Sequence, residues 1–149
     1  MRKIITFGTY DIFHVGHLRL LERAKALGDH LTVGLSTDEL NERKKGRLPV
    51  YPFDERLEIL TSLRFVDAVF PEESLEAKRD YIVEHGADVL VMGDDWAGRF
   101  DELADICHVQ YLPRTPAVST TAVIEKIRRP LVSTGSAVGS APAIESIRT

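Results

Sequence analysis

Cysteine is nearly absent from this chain, which has only Cys107 among its 149 residues. A single thiol cannot form an internal disulfide, so a disulfide-stapled secreted fold is excluded and a reducing, cytoplasmic location is expected. The chain also has no run of about 18 apolar residues, so no membrane span is expected. Its first residues lead directly into a predicted strand, which leaves no room for a signal peptide.

An excess of basic residues is missing as well. The chain has 19 Lys and Arg against 23 Asp and Glu, a formal net charge of −4. This balance argues against broad nucleic-acid binding, which needs a basic face, but it leaves room for a local basic pocket. Hydrophobic residues make up 44% and charged residues 28%, as in an ordinary globular domain with one core.

Strand-like and helix-like segments alternate along residues 1–129, which we interpret as one domain. Strands are predicted at 3–7, 31–36, 67–70, 88–92 and 108–112, and helices at 15–27, 37–43, 53–63, 74–85, 101–106 and 119–129. Gly28 and Gly86 are expected to end two helices in the left-handed conformation. The pattern predicts an α/β fold, a doubly wound open parallel sheet of about five strands with helices on both faces. Residues 130–149 are rich in Ser, Ala and Gly, and we interpret them as a flexible tail.

The segment His14-Val15-Gly16-His17 opens the first predicted helix, after the turn Gly8-Thr9-Tyr10-Asp11. Residues three apart lie on one face of a helix. In its first turn, free backbone N–H groups and the positive end of the helix dipole attract phosphate. Gly16 has no Cβ, so an anion could approach the backbone closely. The segment favours nucleotide phosphate chemistry.

Two other interpretations of the histidine pair remain open on the pair alone. One is a metal site, although zinc needs at least three protein ligands and no third ligand lies at a convincing local spacing. The other is a purely structural role at a helix start. We assign no metal-binding side chain.

A second helix start of the same kind follows the fifth predicted strand. Arg114 and Thr115 end that strand, and Ser119 is a natural N-cap for the last helix, followed by Thr120 and Thr121. Capping alone explains the hydroxyls, but an arginine and a helix N-terminus together also suit a triphosphate. Between these two segments, the basic cluster from Arg43 to Arg47 lies in a predicted mobile loop, 43–51, which is either simply solvated or able to close over polyphosphate.

The chain resembles the HxGH cytidylyltransferases, and within them the glycerol-3-phosphate cytidylyltransferases, over residues 1 to about 128. The histidine motif specifies only the nucleotidyltransferase superfamily, and the other segments are more specific. The matching segments are Gly8-Thr9-Tyr10-Asp11, His14-Val15-Gly16-His17, Arg64-Phe65-Val66-Asp67, Met92-Gly93-Asp94-Asp95-Trp96, and Arg114-Thr115 with Ser119-Thr120-Thr121. The resemblance implies a Rossmann-like sheet and a homodimeric enzyme with one domain in each subunit.

The resemblance also implies a reaction, in which CTP and an alcohol phosphate give a CDP-alcohol and pyrophosphate. His14, His17 and Arg114 would be catalytic, and Mg²⁺ would accompany CTP. The nucleotide site would comprise Gly8, Thr9, Tyr10, His14, Gly16, His17, Asp94, Arg114, Thr115, Ser119, Thr120 and Thr121. Asp11, Lys44 and Lys78 would bind the acceptor, with Lys45 or Arg47 as a further phosphate contact. Arg56, Arg64 and Asp67 also match family positions, where structural pairing or dimer contacts are the alternative to catalysis.

Glycerol 3-phosphate is the acceptor that the resemblance favours, giving CDP-glycerol for teichoic-acid-type polymers. Ser74-Leu75 and Pro116-Ala117 depart from the family pattern beside the site. The alternatives are therefore the same chemistry with another polyol phosphate, or with ATP as in FAD synthetases. A non-catalytic nucleotide-binding module is the alternative of a different class. No nucleic-acid partner is expected.

Overall fold

The computed structural model of the chain describes residues 1–116 and 118–130. In chain order its elements are β1 (Lys3–Gly8), α1 (Val15–Lys25), β2 (His30–Ser36), α2 (Asp38–Lys45), α3 (Phe53–Thr61), β3 (Ala68–Glu72), α4 (Lys78–Glu84), β4 (Val89–Gly93), two short 3₁₀ helices (Asp94–Trp96 and Asp101–Asp105), β5 (His108–Leu112) and α5 (Thr120–Arg128). The tail predicted from residue 130 onward lies, beyond Pro130, outside the described residues.

The five strands form one sheet in the order β3-β2-β1-β4-β5, with every neighbouring pair parallel. The chain moves outward from β1 in one direction and then returns to continue from β4 in the other. The switch point therefore lies between β1 and β4, and ligands of such sheets bind there, outside the carboxyl ends of the strands. The predicted doubly wound parallel sheet is confirmed.

The core has two layers because successive residues of a strand point to opposite faces of the sheet. Ile4 of β1 packs with Leu21 of α1 and Leu60 of α3 on one face. Ile5 packs with Ile82 of α4 and Leu103 on the other. The central strands are buried on both sides, which explains their nearly continuous apolar sequences.

Several predicted elements differ from the structure in extent. The helix expected at 74–85 is confined to Lys78–Glu84, and the one expected at 101–106 is a 3₁₀ helix. The segment 43–51 is not wholly a loop, because Arg43–Lys45 form the last turn of α2, which Gly46 ends with a φ of 72°. Gly86 has the expected positive φ of 61°, but Gly28 does not have a positive φ. A Cβ at Gly28 would lie 2.6 Å from the Arg2 carbonyl oxygen, so close packing explains that glycine instead.

None of the helices in residues 1–116 and 118–130 combines the length and the apolar character that a bilayer crossing needs.

Candidate active site

The segment Gly8–His17, here called the histidine turn, connects β1 to α1 at the switch point. His14 is the N-cap of α1, and its Nδ1 accepts hydrogen bonds from the backbone N–H groups of Gly16 at 3.1 Å and His17 at 3.4 Å. His17 Nδ1 in turn accepts from the backbone N–H of His14 at 3.3 Å. The two histidines thus form a reciprocal capping box, a role usually filled by Ser or Thr with Glu or Gln.

This capping assigns the protons on the imidazoles. Because each Nδ1 accepts a backbone hydrogen bond, the proton of each neutral ring is on Nε2. Burial, with Arg114 nearby, lowers the pKa of His14, and burial together with His14 lowers the pKa of His17 to about 3. The two rings stack with their centroids 3.7 Å apart. Two charged imidazoles would repel each other at this distance. Both histidines are therefore neutral Nε2–H donors near pH 7. Both side chains are half-buried.

Gly16 has a structural reason beyond access for an anion. A Cβ at this position would lie 2.9 Å from His14 Cε1 and 3.1 Å from a methyl group of Val118. Distances this short require the neighbours to move. Glycine therefore allows the His14 ring to fold against the helix start, next to the segment that leads into α5.

The backbone of the histidine turn is strained. Tyr10 has a φ of 51° and Ile12 a φ of 48°, values that are unfavourable for residues other than glycine and most of all for a β-branched one. The Tyr10 ring folds back over β1, where a Cβ on Gly8 would lie 2.7 Å from it. The Tyr10 side chain is buried, and burial raises the pKa of its phenol to about 12. Only the backbone of Tyr10 is therefore available to a ligand.

Asp11 fastens the histidine turn to the segment before α3. Its carboxylate accepts hydrogen bonds from the backbone N–H groups of Val50 at 2.7 Å, Tyr51 at 2.8 Å and Ile12 at 3.1 Å. Its carbonyl oxygen accepts from the hydroxyl of Thr120 at 3.2 Å. These bonds give Asp11 a structural role, and its expected contact with the acceptor stays a prediction.

The start of α5 lies against the start of α1. Ser119 is the N-cap of α5 as predicted, accepting from the backbone N–H of Ala122 at 3.0 Å. Thr120 Oγ1 lies 3.4 Å from His14 Nε2. Arg114 is exposed, with its guanidinium 3.8 Å from the Asp95 carboxylate. Two helix N-termini and an arginine therefore converge on the imidazoles, which makes this place suitable for a chain of phosphates.

The other residues expected at the nucleotide site occupy its rim. Thr9 donates to Asn41 Oδ1 at 2.9 Å, linking the histidine turn to α2. Asp94 is exposed and begins the 3₁₀ helix after β4, across the switch point from β1. Thr115 is half-buried and Thr121 exposed. Burial and the charge of Arg47 lower the pKa of Lys45, whereas the charge of Asp11 acts to raise it. Lys45 therefore lies near both Arg47 and Asp11.

Three further residues match family positions, and the contacts that the structure gives them are structural. Arg56 is 1% exposed and donates to the carbonyl oxygens of Tyr51, Thr9 and Ser36 at 2.8–2.9 Å, besides pairing with Asp38 at 2.7 Å. It ties the carboxyl ends of β1 and β2 to α3. Asp67 accepts from Lys25 and from the backbone N–H of Leu31. Arg64 is exposed and lies over the ring of Phe65.

A second group of side chains, here called the lysine cluster, lies at the carboxyl ends of β2 and β3. It consists of Ser36, Lys44, Glu72 and Lys78. Lys78 Nζ lies 2.6 Å from Glu72 Oε2, and the Ser36 hydroxyl donates to Glu72 Oε1 at 3.2 Å. Lys44 Nζ donates to the Ser36 hydroxyl at 3.1 Å. The structure therefore brings Lys44 and Lys78 together around one carboxylate.

The placement of these lysines corrects and extends the sequence interpretation. Lys44 is in helix α2 rather than in a loop, and Lys78 is only 6% exposed, so it is not a solvated surface lysine. Sequence reasoning missed Ser36 and Glu72. Ser36 ends the buried strand β2 and Glu72 ends the edge strand β3. The available signal was that polar residues at the carboxyl ends of parallel strands face the ligand edge of the sheet.

Over residues 1–116 and 118–130, no group of three or more His, Cys, Asp or Glu side chains could hold a metal ion. The groups that converge at the histidine turn are hydrogen-bond donors and cations, which suit an anion rather than a bare metal.

The sheet order and the two converging helix starts define a nucleotide-binding α/β protein. The chain belongs to the cytidylyltransferase-like family, whose family model matches residues 5–134. This membership confirms the resemblance that the motifs indicated.

Two relatives of similar length carry the name glycerol-3-phosphate cytidylyltransferase. The protein from Bacillus subtilis is 51% identical over 127 residues, covering 85% of this chain and 98% of its own. The protein from Staphylococcus aureus is 46% identical over 127 residues, covering 85% and 96%. The FAD synthase of Pyrococcus horikoshii is 31% identical over 135 residues, covering 84% and 91%.

Among solved structures, the lipopolysaccharide core biosynthesis protein from Thermoplasma volcanium superposes with a TM-score of 0.65. Its sequence is 24% identical, and the match covers 77% of this chain and 97% of that one. At this identity the likeness supports the fold alone.

Proposed function

We propose that this protein transfers CMP from CTP to glycerol 3-phosphate, forming CDP-glycerol and releasing pyrophosphate. The observation that carries the proposal is the meeting of two neutral Nε2–H donors, His14 and His17, with a second helix N-terminus at the switch point. Identities of 46–51% to proteins named glycerol-3-phosphate cytidylyltransferase support the choice of nucleotide and acceptor.

In the proposed reaction a phosphate oxygen of glycerol 3-phosphate attacks the α-phosphorus of CTP. The bond between that phosphorus and the bridging oxygen of the β-phosphate breaks, and pyrophosphate leaves with the electron pair. The attacking oxygen is already anionic, so no strong base is needed and positioning with charge stabilisation supplies the rate. The two imidazoles donate hydrogen bonds to the oxygens of the five-coordinate phosphorus, and Arg114 balances charge along the phosphates.

Neutral imidazoles suit this task. Each presents a donor whose direction is fixed, because its other nitrogen is held by the backbone of α1. Since the donors carry no full charge, they do not have to be desolvated as ions when the nucleotide binds. Mg²⁺ is expected to arrive with CTP, held by phosphate oxygens, and to neutralise part of the triphosphate charge.

The lysine cluster is the proposed acceptor site. Lys44 and Lys78 come from α2 and α4, and their ammonium groups share the Ser36–Glu72 pair at the same edge of the sheet as the histidine turn. A compact ammonium suits a phosphate monoester. The expected cytoplasmic location and homodimer stay predictions.

A second candidate keeps the chemistry but uses ATP, favoured by the 31% identity to an FAD synthase. A grid of CTP, ATP and GTP against glycerol 3-phosphate, another polyol phosphate and FMN, read by pyrophosphate release, separates the two. We expect release with CTP and glycerol 3-phosphate only, CDP-glycerol as the product, and loss of turnover in excess chelator. Faster pyrophosphate release with ATP and FMN would favour the second candidate. No release with any combination of substrates would favour a non-catalytic nucleotide-binding module.

A further inference from the structure

Glu72 is a buried acid that has no role of its own in the proposed mechanism. Its side chain is 1% exposed, at the carboxyl end of β3. An ionised carboxylate in such a place is costly unless it is paired and hydrogen-bonded. Both of its oxygens have partners, Lys78 Nζ at 2.6 Å and the Ser36 hydroxyl at 3.2 Å. The chain therefore has a buried acid with a complete set of polar partners at the end of this strand.

The position of Lys78 is fixed by this carboxylate and by aromatic rings. Its ammonium lies 4.8 Å from the centroid of the Phe7 ring and 5.5 Å from that of Phe100. Both rings favour a cation over their faces. The Lys78 ammonium is therefore held in place before any substrate binds.

Lys44 is connected to the same carboxylate through Ser36. The Ser36 hydroxyl, itself buried, accepts from Lys44 Nζ at 3.1 Å and donates to Glu72. A hydroxyl has one proton to donate, so accepting from the ammonium leaves that proton for the carboxylate. The direction of each hydrogen bond in the chain from Lys44 to Glu72 is thereby set.

The charges around Lys44 oppose its protonation, apart from that of Glu72. Burial is the largest influence and lowers the pKa of Lys44 to about 8. Within that net shift, Glu72 on β3 acts to raise the pKa of Lys44, whereas Lys45 on α2, Lys78 on α4 and Arg56 on α3 act to lower it. Asp38, the acid at the start of α2, is paired with Arg56. Glu72 is thus the acid that favours the charged form of Lys44.

We propose that Glu72 is a positioning residue for the acceptor site: its carboxylate holds the ammonium groups of Lys44 and Lys78 side by side before the acceptor phosphate binds. This inference rests on the proposed function, since it takes the lysine cluster as the acceptor site. The carboxylate does not touch the acceptor, because it lies behind the two lysines and would repel a phosphate. Its negative charge offsets the repulsion between the two ammonium groups, which lie close together before the dianionic acceptor phosphate binds.

The test compares Glu72→Gln with Glu73→Gln, the same change at the exposed next residue. Glu72→Gln keeps the size of the side chain and removes its charge. We expect it to raise the KM for glycerol 3-phosphate about tenfold or more, as for losing a hydrogen bond to a charged group, and to leave the Kd of CTP within about twofold. Glu73→Gln is expected to match the wild type. A lowered KM would mean that Glu72 acts only as a charge repelling phosphate, and would overturn the proposal.

The pH dependence distinguishes positioning from a general structural effect. In the wild type the KM for the acceptor is expected to rise above pH 8, as Lys44 loses its proton. The acceptor phosphate itself titrates near pH 6, so the two effects are separate. Without Glu72 the pKa of Lys44 is lower, so in Glu72→Gln the rise in KM should begin at a lower pH. A KM raised equally at every pH would indicate only a distorted site and would overturn the proposal.

Two further measurements keep the inference testable if turnover is absent or Glu72→Gln does not fold. Titration of Lys44 by NMR with ¹³C-labelled lysine, assigned with Lys44→Arg, reports its pKa without any reaction. An equal pKa in wild type and Glu72→Gln would overturn the proposal. Ser36→Ala keeps every charge but removes the bridge, and we expect it to raise the acceptor KM severalfold; an unchanged KM would count against the proposal. A wild type inactive with CTP and glycerol 3-phosphate would contradict the proposed function, and the lysine titration would still decide the role of Glu72.

Discussion

The histidine turn and the lysine cluster hold their functional side chains by opposite means. In the histidine turn, each imidazole is fixed by backbone N–H groups of its own helix start, within four residues of sequence. In the lysine cluster, each ammonium is held by a side chain from another element, and these two partners, Ser36 and Glu72, bond each other across 36 residues of sequence. The first arrangement is local and uncharged, whereas the second is long-range and ionic.

This difference determines which substitutions each site tolerates. A helix cap contributes about 1 kcal/mol, and several residue types can supply it. A buried ion pair contributes little net stability when complete, but it is strongly destabilising when one partner is removed. We therefore expect substitutions in the histidine turn to impair the chemistry but not the fold, and substitutions in the Lys78–Glu72 pair of the lysine cluster to impair both.

The largest expected effect is the loss of the partner of Glu72. Lys78→Ala leaves that carboxylate buried and unpaired, and we expect a loss of about 3–5 kcal/mol in the free energy of unfolding. Urea denaturation measures it. Arg79→Ala is the matched control, because Arg79 pairs with Asp105 in an exposed position, where solvent screens the interaction and its loss should affect stability much less. Equal losses in the two variants would contradict the contrast between buried and exposed pairs.

Replacement of the histidines comes next in size. His14→Ala and His17→Ala should each lower kcat about 100- to 1,000-fold, the range for losing one transition-state donor. His14→Asn sharpens the comparison, because asparagine is a good N-cap but lacks the Nε2–H group. We expect it to have the Tm of the wild type and the low kcat of His14→Ala.

Initial rates and thermal melts of these variants are compared with His108→Ala, a change to an exposed histidine at the amino end of β5. That control should have normal turnover. If His14→Asn turned over like the wild type, the imidazole would act through capping alone and the donor role would be wrong.

The same contrast explains what the sequence could predict. The histidine turn was predictable because its determinants are local: an apolar strand, a glycine turn and a helix start within 15 residues. The order of elements likewise predicted the parallel sheet. The strained φ values of Tyr10 and Ile12 were not predictable, because neither residue type favours them and the surrounding contacts impose them.

The lysine cluster was only half predictable. The resemblance pointed to Lys44 and Lys78, but Lys44 was expected in a loop because the basic cluster from Arg43 to Arg47 has no apolar periodicity. The helix itself was expected at 37–43, and its basic last turn, followed by Gly46 as the C-cap, was the signal that it continues to Lys45. Glu72 was missed because nothing in its neighbourhood along the chain reveals that two distant lysines share it.

Removal of the Lys44 side chain is expected to have a smaller effect than loss of a histidine. Lys44→Ala should weaken acceptor binding by about 1.5–3 kcal/mol, the range for a hydrogen bond to a charged group. The Kd of CTP should change little, and so should stability, because Glu72 retains Lys78. The KM for glycerol 3-phosphate and the CTP Kd by calorimetry measure the two. A variant that lost CTP affinity and kept the acceptor KM would place Lys44 in the nucleotide site.

The most gradual effect, small for each step of pH, is a dependence of stability on pH that belongs to the histidine turn. The pKa of His17 is about 3 in the folded protein, against an ordinary value of 6.5. Between these values the unfolded chain binds more protons than the folded one, so this contribution to stability is complete above pH 6.5 and is lost as the pH falls toward 3. The slope is at most about 1.4 kcal/mol per pH unit.

His17→Asn removes this titration, so its stability relative to the wild type should improve steadily from pH 6.5 to 4.5 in urea denaturation. Lys44→Met is the control from the lysine cluster. The pKa of Lys44, about 8, lies below the ordinary value of 10.5, so its linkage acts only between those two values and should not affect the acid range. If the stability curves of the wild type and His17→Asn were parallel in acid, His17 would have the same pKa in the folded and unfolded states. The assignment of a neutral, backbone-held imidazole, on which the contrast between the two sites depends, would then be wrong.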